Sequence, residues 1–181
     1  LNRGGKLFVM LDPPEKGTAL APTNPIALPR EGGLETGTDL VVDASGLGQM
    51  VGTDASVPIA MPATQHPITE RFNMMTAFPI ARSVAPIDGG ANGRTAQKLL
   101  QTSPQSWAET DIAGVYATGR PERNTDKGDK EGPVSIAVAV SAPIAEPTPA
   151  PDAKPTEGPK PETRMVAMGD SDFASNGALT I

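Results

Sequence analysis

The sequence predicts an α/β domain in which a mainly parallel sheet forms the middle of three layers. Short apolar runs bounded by Gly, Pro and Asp indicate buried strands, and the clearest is KLFVML at residues 6–11. A second run, at 134–141, alternates branched with small side chains, so its small face suits a closely docked helix. The segments between such runs are rich in Pro and Gly, which predicts long loops.

Five strands are expected to form the core of this sheet. They are predicted at residues 6–11, 39–43, 97–102, 134–141 and 164–168. Weaker strands are predicted at 57–61 and 78–84, where a proline removes one hydrogen-bond donor from each. Residues 15–38 predict a loop, residues 66–72 a turn leading into one helical turn, and residues 173–176 a short helix capped by Ser171 or Asp172.

The 181 residues are expected to form a single α/β domain over 1–181. Residues 114–132 are polar and of mixed charge, which predicts a mobile surface loop. Residues 143–161 contain seven prolines and predict a linker-like insertion. No apolar run in the sequence approaches the ~18 residues of a membrane-spanning helix.

Composition excludes several classes of function. The chain has 15 basic and 21 acidic residues and a net charge of −6, so nucleic acid is not an expected partner. Without cysteine there is no thiolate nucleophile, and with one histidine there is no site that needs two imidazoles. Dinucleotide and Walker A motifs are absent from the sequence. We therefore expect no cofactor, no metal centre and no enzymatic activity.

Five residues are candidates for a site, and each has a structural alternative. Asp12 and Asp170 follow predicted strands, where α/β sheets bind ligands, and Asp170 with Asp172 suits either magnesium, a small polyol or helix capping. Trp107 suits either the core or an exposed recognition surface beside residues 114–132. His66 precedes a proline, which favours a structural role in a turn over proton transfer.

Four segments, in this order, resemble auxiliary components of gliding-motility-type ABC transport systems. They read RGGKLFVMLDPP at 3–14, HPIT at 66–69 with FPIARSV at 78–84, LLQTSPQSWAET at 99–110 and GDSDFASN at 169–176. The soluble domain of that family is related to the class I glutamine-amidotransferase-like (flavodoxin-like) fold and to a domain of intraflagellar transport proteins. The resemblance implies that fold for this chain, as an incomplete copy that lacks edge elements.

The resemblance also implies a function. In amidotransferase-like folds a nucleophilic cysteine follows such a strand, whereas this chain has Asp12 and two prolines, which lack the backbone N–H groups of an oxyanion hole. The chain is thus expected to be a non-catalytic accessory domain that acts in protein interaction or assembly. Its expected partners are permease and ATPase subunits, and its expected place is the periplasmic side of the cytoplasmic membrane, held by anchors absent from this chain. The alternatives are a glycan-binding or small-polar-ligand-binding module and a degenerate hydrolase.

Overall fold

The computed structural model describes residues 4–14, 30, 32–50, 52–63, 65–87, 93–144 and 162–177. Most of its regular structure is β-strand. In chain order the elements are β1 (Lys6–Met10), β2 (Leu34–Thr36), β3 (Leu40–Asp43), α1 (Leu47–Met50), β4 (Ile59–Pro62), β5 (Thr76–Ala77), β6 (Val84–Pro86), β7 (Thr95–Gln101), β8 (Ser106–Glu109), α2 (Ile112–Thr118), a 3-10 helix (Thr125–Lys127), β9 (Lys130–Glu131), β10 (Ser135–Pro143), β11 (Glu162–Met168) and a second 3-10 helix (Asp172–Ala174).

The described strands form three sheets. The largest has six strands in the order β1-β11-β10-β7-β4-β5, and among these pairs β1 and β11 are parallel while the others are antiparallel. A two-stranded sheet joins β2 to β6, and a three-stranded sheet has the order β3-β8-β9; both are antiparallel. None of the helices in the described part of the chain is long and apolar enough to cross a membrane.

The prediction of a three-layer α/β fold with a mainly parallel sheet is wrong. Parallel neighbours need crossover connections of a dozen or more residues, usually helices. The helices that the structure describes are short, and the longest, α2, has 7 residues. Antiparallel pairing needs no such helices, which fits a sequence rich in Pro and Gly.

The five predicted core strands are present with shifted ends, although β3 belongs to the three-stranded sheet rather than to the large one. The weaker strand predicted at 57–61 is β4, whereas the strand predicted at 78–84 is wrong, because β6 begins only at Val84. The loop predicted at 15–38 contains β2, and its residues 15–29 lie outside the described residues.

β10 is buried on both faces, which corrects the expectation of one branched and one small face. Irregular register between β10 and β7 at Ser135–Val138 rotates the strand partway along its length. Ile136 and Ala139 therefore pack in one core cluster with Phe78 and Leu100. Further along, Val138 and Val140 pack in a second cluster, with Leu34, Val84 and Met165.

Two segments were expected to be irregular. Residues 114–132 include most of α2, a 3-10 helix and β9, and the mobility of this segment stays a prediction. Of the Pro-rich segment 143–161, only Pro143, at the end of β10, and Ile144 are described. A single domain over 1–181 likewise stays a prediction.

Gly169→Ala should lower the free energy of unfolding by about 1–3 kcal/mol, the usual cost of overpacking a core. A Cβ at Gly169 would collide with the backbone oxygen of Arg82, and backbone cannot move aside as a flexible side chain can. Chemical denaturation measures the change. Gly177→Ala is the matched control, because its Cβ would lie 3.5 Å from Ser175 Oγ, an ordinary contact. Equal stability of the two variants would contradict the packing described here.

Candidate functional site at the ends of two parallel strands

The structure brings Asp12, Asp170 and Asp172 together, as their positions after strands predict. Because β1 and β11 are parallel neighbours, their carboxyl ends lie at the same edge of the sheet. Asp12 follows β1, and its Oδ1 and Oδ2 accept hydrogen bonds from the Ser171 N–H (2.6 Å) and the Ser171 Oγ (2.7 Å). We call Asp12, Asp170, Ser171 and Asp172 the strand-end site.

Asp170 is the buried member of the strand-end site, with 1% of its surface exposed. Its Oδ1 accepts the Asp172 N–H at 2.6 Å, while its buried Oδ2 has no hydrogen-bond partner among the described residues. Burial raises the pKa of Asp170 to about 6, and the charges of Asp172 and Asp12 act in the same direction. Near neutral pH this carboxyl therefore titrates, unlike an ordinary surface aspartate.

The hydrogen bond from the Ser171 hydroxyl to Asp12 corrects the predicted helix cap. Ser171 is the residue before the 3-10 helix, yet its side chain makes no capping bond, because its hydroxyl is bound to Asp12. Asp170 instead accepts the first N–H of the helix, from Asp172. Asp170 thus has a structural role at the start of the 3-10 helix, and Asp172 remains exposed beside it.

Arg82 binds the backbone of Asp12 in the strand-end site, and it was not among the predicted site residues. Its side chain is buried, its Nη1 donates to the Asp12 carbonyl at 3.0 Å, and its Nε donates to the Gly37 carbonyl at 2.7 Å; Nη2 also donates to Gly37. Burial lowers the pKa of Arg82, and the negative charges of Asp39 and Asp12 oppose that shift. The sequence signal was a lone arginine inside the apolar segment FPIARSV.

The strand-end site offers hydrogen-bond acceptors rather than a metal cage. Among the residues that the structure describes, no group of three or more His, Cys, Asp or Glu side chains could hold a metal ion. The acceptors of Asp12 are occupied by Ser171, which leaves Asp170 Oδ2 and the exposed carboxylate of Asp172. Such acceptors suit hydroxyl groups of a polar ligand.

Trp107 and His66 lie away from the strand-end site. Trp107 is buried in β8, with 6% of its surface exposed, and its Nε1–H donates to Glu109 Oε2 at 3.1 Å. Its indole therefore packs in the interior and offers no exposed face to a partner. His66 lies in a turn, where its Nδ1 accepts the Ile68 N–H at 3.1 Å.

A family model described as an ABC-type uncharacterized transport system matches residues 1–180. The chain belongs to this family. Members of the family are auxiliary components of ABC-type transport systems, in agreement with the coarser part of the resemblance. The gliding-motility assignment stays a prediction. No curated protein matches the sequence significantly.

Among solved structures, the mmIFT52 N-terminal domain is similar in fold to this chain. The TM-score is 0.53 at 13% sequence identity, and the alignment covers 97% of this chain and 58% of that one. The chain thus spans less than two thirds of the length of that structure. This similarity concerns the fold, and it agrees with the expected relation to a domain of intraflagellar transport proteins.

Asp170→Asn should raise the free energy of unfolding of this protein at pH 7 by roughly 1–2 kcal/mol. It should also remove one pH-dependent component of that free energy. Because the folded-state pKa is raised, the protonated carboxyl contributes stability fully below about pH 4, and this contribution is lost as the pH rises through about 6. The stability difference between variant and wild type should therefore grow from pH 4 to pH 7.

Denaturation midpoints measured across this pH range test the prediction. Asp126→Asn, which changes an exposed carboxylate elsewhere, is the control and should show no comparable trend. A difference between Asp170→Asn and wild type that is constant with pH would show that the carboxyl does not titrate in this range.

Proposed function

We propose that this chain is a non-catalytic domain that works through protein contacts within an ABC-type transport system. The match of the family model to residues 1–180 carries this proposal. The partners that we propose are the permease and ATPase subunits of that system.

One segment of the surface supports a role in protein contact. Between residues 68 and 75 four large apolar side chains are exposed, namely Ile68 (57%), Phe72 (37%), Met74 (65%) and Met75 (57%). Single exposed apolar residues are ordinary, whereas contiguous apolar patches mark interaction sites, and four such side chains within eight residues of chain favour one here. Methionine also adapts its shape to different partners. We call these four residues the 68–75 apolar segment.

We further propose that the domain lies on the extracytoplasmic side of the cytoplasmic membrane. This location follows from the resemblance to gliding-motility auxiliary components. Protease treatment of intact spheroplasts tests it, because an extracytoplasmic domain is cleaved without lysis. Protection until lysis would contradict the location without affecting the proposed contacts.

The double variant Met74→Ser with Met75→Ser should lose partners while keeping its fold. In the full-length protein, expressed in its native cells, we expect at least about fivefold less permease and ATPase to be captured from solubilised membranes. Quantitative mass spectrometry measures the capture. The melting temperature should change little, because both side chains are mostly exposed.

Met50→Ser is the matched control, since Met50 is 83% exposed on α1 and lies outside the 68–75 apolar segment. It should leave capture unchanged. Equal capture by both variants would exclude the 68–75 apolar segment as a contact, and absence of transport subunits with wild type would refute the proposed function itself.

A second candidate function is binding of a glycan or another small polar ligand at the strand-end site. The observation that favours it is the buried Asp170 Oδ2, which has no partner among the described residues. Saccharides added at millimolar concentration should then raise the melting temperature of wild type, since a ligand that binds the folded state stabilises it. They should have no such effect on Asp170→Asn with Asp172→Asn, which changes the two acceptors that Ser171 does not occupy. An unchanged melting temperature of wild type with every saccharide would rule out this candidate.

A further inference from the structure

β1 lies at one edge of the six-stranded sheet. β11 pairs with it on one side, and among the strands that the structure describes none pairs with it on the other. The Gly5 carbonyl accepts an N–H of β11 at 3.1 Å, and the Leu11 N–H donates to a carbonyl of β11 at 2.9 Å. Because the backbone groups of alternate residues point the same way, those of Lys6, Phe8 and Met10 point away from β11. We call these three residues the free edge of β1.

The free edge has little of the protection that keeps edge strands from pairing. In many proteins a proline, a bulge or a charge within the strand serves that purpose. Residues 6–10 contain no proline, and their register with β11 runs without a shift. Lys6 is the one charged residue of the strand, and its ammonium donates to the Glu162 carbonyl of β11 at 2.5 Å, so it lies on the paired side. Within the described part of the chain, the free edge is thus open to another strand.

Two large apolar side chains accompany these backbone groups. Phe8 is 55% exposed and Met10 is 38% exposed. Both lie on one face of the sheet, because side chains two residues apart in a strand point the same way. In β11 their neighbours in register are Val166 and Met168, which pack against a core cluster. Phe8 and Met10 therefore extend an apolar face to the edge of the sheet, and a strand bound there would cover them.

The free edge is complementary to itself. When two copies of β1 align antiparallel with Phe8 opposite Phe8, Lys6 of each copy lies opposite Met10 of the other. Residues directly opposite in such a pair exchange two hydrogen bonds, so every outward N–H and C=O group of the three residues obtains a partner. An alignment shifted by two residues would leave one of the three opposite a residue outside β1. The symmetric alignment is therefore the one that satisfies the whole free edge.

Charge favours the same antiparallel alignment. β1 begins at a positive residue, Lys6, and the negative Asp12 follows shortly after its end. Antiparallel alignment places the positive end of each copy beside the negative end of the other, whereas parallel alignment would bring like charges together. Charge complementarity thus adds to that of the backbone groups.

We propose that the free edge of β1 binds a second copy of this chain, so that two six-stranded sheets join into one continuous sheet across a two-fold axis. The two Phe8 side chains lie opposite each other at that axis. A two-fold contact uses the same residues on both copies, which is why the fit of the edge to itself selects a second copy over an unrelated strand. The inference goes beyond the proposed function, because it does not depend on which transport subunits the domain contacts.

Engineered cysteines test the proposed alignment, because the chain has no cysteine of its own. Directly opposite residues in a hydrogen-bonded pair have Cα atoms about 5.5 Å apart, within the span of a disulfide. Under mild oxidation Phe8→Cys should therefore form a covalent dimer. An equimolar mixture of Lys6→Cys with Met10→Cys should form a mixed dimer, which mass spectrometry identifies. Met10→Cys alone should not pair, since its two copies would lie about 13 Å apart along the strands.

Met61→Cys is the control for pairing by random collision. Met61 is 47% exposed in β4, which lies in the same sheet but away from β1. Phe8→Cys should form its disulfide at least about tenfold faster than Met61→Cys, because bound copies hold the two thiols at a high effective concentration. Met10→Cys alone should pair no faster than this control.

Sedimentation equilibrium of the 181-residue chain measures the association itself. The average mass should rise from that of one chain toward twice that value as the concentration rises. Phe8→Lys places like charges directly opposite each other at the axis and should weaken the dimer at least about tenfold. The matched control Met61→Lys should associate as wild type does. Both side chains are largely exposed, so the melting temperature should change little, and the cysteine variants decide the question if Phe8→Lys fails to fold.

Several results would overturn the proposal. These are a wild-type chain that stays monomeric up to about 0.5 mM, disulfide formation by Phe8→Cys no faster than by Met61→Cys, or undiminished association of a folded Phe8→Lys. A mixture of Lys6→Cys with Met10→Cys that pairs no faster than Met10→Cys alone would exclude the proposed alignment. A monomeric chain that loses capture of transport subunits with Phe8→Lys would show that the free edge binds a different protein. In that case the proposed function stands and the second copy is wrong.

Discussion

The buried guanidinium of Arg82 joins parts of the molecule that are far apart in sequence. Its side chain binds the carbonyls of Gly37, between β2 and β3, and of Asp12, after β1, while its own N–H donates to the Gly169 carbonyl after β11. A buried cation costs several kcal/mol of desolvation unless acceptors surround it. The carbonyls and the nearby Asp39 and Asp12 charges supply that compensation. The close fit of Gly169 against the Arg82 backbone follows from the same arrangement, since a side chain there has no room.

The carboxylates near Arg82 differ in how their oxygens are hydrogen-bonded. Asp39 accepts two hydrogen bonds from Ser83, and Asp12 accepts two from Ser171, so both oxygens of each carboxylate have a partner. Asp170 accepts a backbone N–H at one oxygen, and its other oxygen is buried without a partner among the described residues. The negative charges of Asp172 and Asp12 lie near it. Burial of this carboxyl, together with those charges, raises the pKa of Asp170.

The sequence predicted where strands form better than how they pair. Apolar runs between breakers locate β1, β7 and β11, because burial of a strand depends on local composition. Pairing direction depends on the connections, and the same runs serve parallel and antiparallel sheets alike. The irregular register of β10 likewise arises from its contact with β7 and has no sequence signal of its own. Asp12 and Asp170 were predictable because both follow strands. The lone arginine in FPIARSV marks Arg82 as unusual, but it does not reveal the backbone carbonyls that bind its side chain. Asp111 at the N-cap and Gly119 at the C-cap of α2 do fit the usual pattern of helix ends, but the surrounding charges favoured a loop.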